Sequence, residues 1–307
     1  MKAVERRVGK LELSDRPTRN PNKRDRNFHP AAGRRELING YLSRCPLPIA
    51  IGFAIVIGTF SSMLLAAGCD RRAPTSTGMA VSFDGSTAEV SIPVVTQATA
   101  SVTLESWVKL PAGAKGCFIK IGDANTGYGI GVGASHTSFD ASSAGNALIG
   151  LYENSAFIYP TGDPTLAPGS WHHIAFVIGE AGTPPTFYID GTPYVATTQG
   201  TPHAPANTSA IGRDFGGDRW TNATIAKVAV YNTALSAARI TAHATATTDA
   251  AYDTAVLADS PVAFYELDEE NGTSAMDSSG NSNTGTYDGK VAFLNPGPFV
   301  STPKPTQ

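Results

Sequence analysis

Charged side chains are scarce in this chain, 16% of 307 residues, and aromatic ones make up 8%. That balance excludes a coiled coil or a surface-charged helical bundle. Cysteine is nearly absent: of three residues only Cys117 lies beyond residue 69, so no internal disulfide can staple that part. No G-x-S-x-G elbow, phosphate loop, Cys-x-x-Cys pair or H-E-x-x-H helix occurs, and hydrolase, kinase and zinc chemistries lack a starting residue. Positive charge is also short where it would matter. Residues 1–68 hold 12 Lys and Arg against 5 Asp and Glu, and the remainder hold 11 against 21, giving +7 followed by −10. A nucleic-acid binder needs its positive charge on the folded part, so no nucleic-acid partner is expected. What the chain does have is 41% hydrophobic residues, 31 Gly and 21 Pro, the composition of a turn-rich β protein rather than a disordered one.

Residues 47–68 read LPIAIGFAIVIGTFSSMLLAAG, 22 residues without a charge, long enough to cross a bilayer as a helix. Arg34, Arg35 and Arg44 precede the run and an acidic chain follows it. This makes residues 1–46 a basic cytoplasmic leader and puts residues 70–307 outside. The run ends in Leu65-Ala66-Ala67-Gly68-Cys69, which resembles a bacterial lipoprotein lipobox, and the resemblance makes Cys69 the lipidated first residue of the mature chain. The alternative is an uncleaved signal-anchor helix over 47–69. Both readings place a membrane-anchored, extracytoplasmic protein in a bacterial cell envelope.

Residues 70–78 form a short polar tether. Short strand-like runs follow at 80–92, 101–110, 116–122, 127–133, 147–152, 171–178, 186–195 and 224–231, separated by Gly, Pro, Asp and Asn, the spacing of an all-β sandwich. Asp190-Gly191 between two runs predicts a tight hairpin. Both alternating faces of 171–178 are largely apolar, which predicts a central strand covered on both sides. One helix is expected, Ser236 to Ala244, with Ser236 as N-cap, followed by a linker from Thr245 to Ala251.

The segments Val81-Ser82-Phe83-Asp84-Gly85, Thr103-Leu104-Glu105-Ser106-Trp107-Val108-Lys109, Trp171-His172-His173-Ile174-Ala175 and Tyr188-Ile189-Asp190-Gly191 occur in the order seen in laminin-G-like domains. The close, Ile225 through Ser236, resembles the family's final strand and helix cap. The resemblance implies a concanavalin A-like jelly roll of two antiparallel sheets over 79–248, in a family of carbohydrate- or protein-binding modules. Lys227 departs from it, standing where the family more often has an acidic residue. Residues 249–294 resemble the opening of a second such domain but are too few to complete one. They are either a truncated repeat or a segment folding back to finish the first sandwich, and an orphan strand would leave Val262, Phe264 and Tyr265 uncovered. Residues 295–307 form a Pro-rich tail.

Several residues could carry chemistry. Trp107 shares a strand face with Glu105, where an indole could stack on a sugar. The loop Arg213-Asp214-Phe215-Gly216-Gly217-Asp218-Arg219-Trp220 has the aromatics and paired charges of a polar-ligand rim, with Arg213, Asp214, Asp218, Arg219 and Trp220 as candidates. The glycines of 127–133 leave one strand face bare, for a ligand or for a bulky neighbour such as Trp107. Asp123 and Asn125 are candidate calcium ligands, since jelly rolls of this type sometimes carry an oxygen-ligated ion. His172 and His173 point to opposite faces of a strand and cannot share one metal. Glu266, Asp268 and Glu270 have the E-x-D-x-E spacing of laminarinase-type glucanases, which would aim three acids at one face, yet Glu269 stands where those enzymes have an apolar residue. The expected function is therefore carbohydrate binding at the cell envelope without catalysis. The alternatives are an adhesive contact with an extracellular protein, or a glycoside hydrolase.

If Cys69 carries the anchor, Cys69→Ser abolishes processing and lipid attachment, read as a mass shift and as loss of lipid label in the membrane fraction.

Overall fold

The computed structural model describes residues 78–134, 145–152, 156–196, 201–216 and 219–299. All of these belong to the compact unit that spans Gly68–Gln307. The apolar run 47–69, with Cys69, lies outside the described residues, among which no helix is long and apolar enough to cross a membrane.

Two antiparallel sheets face each other. The first runs β10 (Thr192–Val195), β9 (Thr186–Ile189), β8 (Trp171–Ile178), β3 (Val102–Lys109), β14 (Thr224–Tyr231), β1 (Met79–Ser82), β18 (Ala292–Pro296). The second runs β16 (Ser274–Ala275), β17 (Gly285–Asp288), β2 (Glu89–Ile92), β11 (Ser209–Ile211), β4 (Gly116–Ile121), β5 (Tyr128–Gly133), β6 (Ala147–Tyr152), β7 (Ala156–Ile158). Between them lies one continuous core that includes Leu104, Val108, Ile119, Ile130, Phe176, Phe187 and Val228, all fully buried. The all-β jelly-roll architecture read from the sequence is the one observed.

The chain crosses between the sheets at Phe83-Asp84-Gly85, so the run 80–92 is two strands in two sheets. Asp84 Oδ1 accepts the backbone N–H groups of Ser86, Thr87 and Ala88 at 2.8, 2.7 and 3.0 Å, and Gly85 sits at φ +75°. A Cβ at Gly85 would come within 2.9 Å of the Asn222 Cβ. The hairpin between β9 and β10 turns on Asp190 and Gly191, both with positive φ, as its two-residue loop requires.

Residues 236–258 depart from the expectation of one helix followed by a linker. Helix α1 (Ala237–Ala244) is capped by Ser236, and a second helix, α2 (Asp249–Ala258), is capped by Thr248. Both lie on the outer face of the first sheet, where Ile240, Tyr252 and Val256 cover Trp107, Ala175, Ala226, Ala229 and Phe264.

Residues 263–296 contribute to both sheets. β17 extends the second sheet beside β2, and β18 pairs with β1. β15 (Ala263–Tyr265) pairs with the second half of β14, whose first half pairs with β1 along the same edge. Where one neighbour gives way to the other, β14 is bulged, and Lys227 sits there at φ +55°. Its buried ammonium lies 2.9 Å from each of three carboxylates, Asp249 and Asp253 on α2 and Glu266 after β15. Phe264 and Tyr265 are fully buried.

Truncation after residue 248 removes these strands and leaves β14 half-paired over an open core. The truncated protein should be less soluble and melt well below the full chain, as read by calorimetry.

Candidate functional site

The two outer faces of the sandwich differ. On the first sheet, α1 and α2 close over Trp107, which is 8% exposed and meets His173, Tyr252 and Phe299 edge-on at 5.4, 6.2 and 5.3 Å. Glu105, its neighbour on that face, is fully buried. Its carboxylate takes the Tyr231 hydroxyl at 2.5 Å and His243 Nδ1 at 3.0 Å, and lies 3.3 Å from His173 Nε2. Beyond it, His243 Nε2 lies 3.0 Å from Asp259, which also holds Arg239. The expectation of a sugar-stacking Trp107 beside a ligand-contacting Glu105 is corrected: both are packed beneath helices that the strand pattern alone did not reveal.

Burial by itself would raise the Glu105 pKa, but the two imidazoles outweigh it and hold the carboxyl at about 2. For His243, burial opposes the charged imidazole while the Glu105 contact raises its pKa above the usual value. Opposite shifts in the two partners mark a pair that is ionised in the folded state.

The outer face of the second sheet carries a different set. Cys117 and Lys120 on β4 lie in register with Gly131 and Gly129 on β5. A Cβ at Gly129 would come within 3.0 Å of Cys117 Sγ, and one at Gly131 would come within 2.1 Å of the Gly116 carbonyl. The bare glycine stripe is therefore filled by side chains and backbone of the bulged β4, and Trp107, on the other sheet, plays no part in it. The Lys120 ammonium folds back onto the carbonyls of Gly122 and Thr126 at 3.1 and 2.6 Å.

Beside this stripe stands a short hairpin, β12 (Arg213–Asp214) with β13 (Arg219–Trp220). Gly116, at φ +107°, lets it lie against the start of β4, where a Cβ would strike the Trp220 carbonyl at 2.4 Å. The Arg213 guanidinium lies over the Trp220 and Phe215 rings, at 4.3 and 5.0 Å from their centroids. Its Nη1 donates to Glu89 on β2 at 3.2 Å. Arg219 donates to the buried Asp214 at 2.6 Å and lies 5.2 Å from the Phe157 centroid. Arg213, Phe215, Arg219 and Trp220 remain partly exposed, so aromatic faces and charge-paired arginines share one surface. Asp218 lies outside the described residues. Phe157 and Glu89 were absent from the sequence reading, because they join the hairpin from other strands.

The remaining candidates do not assemble. Asp123 Oδ1 accepts the Asn125 backbone N–H at 2.9 Å and the Thr126 hydroxyl at 2.8 Å, while Oδ2 takes the Asn207 amide. One oxygen is thus occupied by donors of its own turn and the other by the distant Asn207, and the Asn125 side chain is exposed, a poor fit to a calcium cage. Among the described residues, the one group of three acidic, histidine or cysteine side chains close enough to share a metal is Asp249, Asp253 and Glu266, and the Lys227 ammonium already sits among them. The strand that the glucanase alternative requires breaks at Leu267, which is fully buried at φ +59°. Glu266 is bound to Lys227 at 2.9 Å and to Ser278 at 2.7 Å, Asp268 follows the break, and Glu270 is exposed. Period-two alternation therefore does not aim the three acids at one substrate.

A family model described as the concanavalin A-like lectin/glucanases superfamily, Laminin_G_3, matches residues 84–241. The chain belongs to this family. Among solved structures, the laminin-G-like chain is similar to a candidate carbohydrate-binding protein of Bacteroides ovatus, at 19% identity and a TM-score of 0.50 over 70% of this chain and 60% of that one. It thus spans about 60% of the length of that protein. It is also similar to a heptameric SAP-like pentraxin of Limulus polyphemus, at 13% identity and a TM-score of 0.51, covering 74% of this chain and 99% of the other. No curated protein sequence matches the chain.

The buried network predicts a pH response. Glu105 has a folded pKa below its unfolded value, so its contribution is present above about pH 4.5 and lost as pH falls through about 2. The His243 contribution, from a raised pKa, is present below about pH 6.5 and lost as pH rises through its folded value. Removing one partner of such a buried pair costs about 3 kcal/mol. Glu105→Gln should therefore lower the melting temperature most between those limits and flatten the profile of stability against pH.

Proposed function

We propose that this laminin-G-like domain is a non-catalytic glycan-binding module whose ligand lies across the hairpin of Arg213 and Trp220. The observation that carries this reading is the partly exposed Arg213 guanidinium stacked over Trp220 and Phe215 and held by Glu89. A sugar ring presents an apolar C–H face and a rim of hydroxyls. Half-exposed aromatics take the first, and charge-paired planar groups hydrogen-bond the second. Similarity to a candidate carbohydrate-binding protein supports the same reading, and the engagement of Glu266 by Lys227 weighs against a hydrolase. We further propose that the module is displayed outside a bacterial cytoplasmic membrane, held by a lipid on Cys69 or by a signal-anchor helix over 47–69.

A glycan array with the purified chain, run with and without calcium beside a reducing-sugar assay on β-glucans, tests the proposal. Binding to a subset of glycans is expected. Trp220→Ala should weaken it at least about tenfold, a loss of ~1.4 kcal/mol, with the melting temperature unchanged. Silence on every glycan would favour a protein partner, and sugar release abolished by Glu266→Gln would establish the hydrolase instead.

A further inference from the structure

The chain passes from the hairpin to the first sheet through Thr221, Asn222 and Ala223, and there the end of the sandwich opens into a pocket of about 380 Å³. That is the size of a small-molecule site. Its floor is apolar, with Phe83 5% and Leu110 1% exposed. Its polar lining contains donors and no carboxylate: Lys109, Asn222, Ser82 and Thr224. Lys109 closes β3 between Trp171 on β8 and Thr224 on β14, is exposed, and makes no ion pair with any described residue. Asn222 has its carbonyl oxygen fixed by the Lys115 backbone N–H at 3.0 Å, which leaves its amide N–H groups for a ligand. Ser82 and Thr224 share one hydrogen bond at 2.7 Å, and one of the two hydroxyl protons remains to be given.

We infer that this pocket is a second binding site, separate from the hairpin face, for a carboxylate-bearing sugar such as a uronic acid unit. The ring body packs against the exposed Pro111 and the edge of Phe83. The carboxylate meets the Lys109 ammonium, and ring hydroxyls accept from Asn222 and from the Ser82–Thr224 pair. A single ammonium matches a single negative charge. A polyanion would meet the net −10 that the chain carries beyond residue 68.

Titration of the full-length chain with D-glucuronate, D-galacturonate, D-glucose and acetate, followed by ligand-observed NMR and calorimetry, tests the assignment. Saturable binding of at least one uronate is expected, with glucose and acetate at least about tenfold weaker, the loss of one charged or one apolar contact. Lys109→Met should weaken uronate binding at least about tenfold at an unchanged melting temperature, and Lys109→Arg should retain it. Rising salt should weaken the binding of the parent chain. Trp220→Ala should leave uronate binding intact, which separates this site from the hairpin face. Equal uronate affinity in Lys109→Met and the parent chain, acetate binding as tightly as a uronate, or no saturable uronate binding would each overturn the inference.

Discussion

Burying the ammonium of Lys227 costs several kcal/mol of lost hydration, and the three carboxylates around it offset that cost only if α2 and the segment after β15 arrive together. Asp249 and Asp253 come from one, Glu266 from the other, each 2.9 Å away. The ion cluster therefore sets where residues 249–266 lie on the sandwich. Once they are there, Tyr252 and Val256 cover the first sheet, β15 fills the vacant half of the β14 edge, and the chain can continue to β17 and β18. Three acids around one base leave an excess of negative charge, and burial with its acidic neighbours lifts Asp253 to about 6. The contribution of Asp253 to stability therefore grows as pH falls through about 6, because a proton on its carboxylate is favoured in the folded state.

That docking divides the molecule into a closed side and an open one. Helices on the first sheet convert a strand face bearing Glu105, Trp107 and His173 into a second core, in which the Glu105 carboxylate is held by Tyr231, His243 and His173. The second sheet has no such helical cover among the described residues, and its register brings Lys120, Gly129, Leu151 and Phe157 into one row. The two proposed sites are the hairpin beside that row and the pocket at the sandwich end. The two are only a few residues apart in the chain, yet they offer different chemistry: compensated charge with aromatic faces at one, a lone ammonium over an apolar floor at the other.

Much of the fold was legible from local pattern. Asp190-Gly191 announced a turn whose positive φ values only such residues hold cheaply, whereas the crossing at Asp84-Gly85 was missed because 80–92 read as one strand. The alternation in Trp171–Ile178 announced a strand covered on both faces. The environment of Trp107 was not legible, because its cover comes from residues 237–258, more than a hundred positions away. Helix α2 was missed although Thr248 offered a cap and Tyr252 and Val256 the i, i+4 spacing, since its surroundings read as a linker. The acids at 266–270 misled for a different reason. Their spacing assumes an unbroken strand, and one left-handed residue, Leu267, destroys the alternation without leaving a compositional trace. Arg213, Arg219 and Trp220 could be proposed from the sequence, whereas Glu89 beside Arg213 and Phe157 beside Arg219 are brought in only by the tertiary fold.

The pairing of β1 with β18 has a mechanical consequence. Met79 lies opposite Pro296, and the Gly297 N–H donates to the Gly78 carbonyl at 2.8 Å. A pull on residue 78 along the strand therefore loads the ladders to β14 and β18 together, in shear. Antiparallel hydrogen bonds run perpendicular to the strands, so these bonds resist as a group instead of unzipping one after another. The start of β1 is thus a grip suited to holding a load.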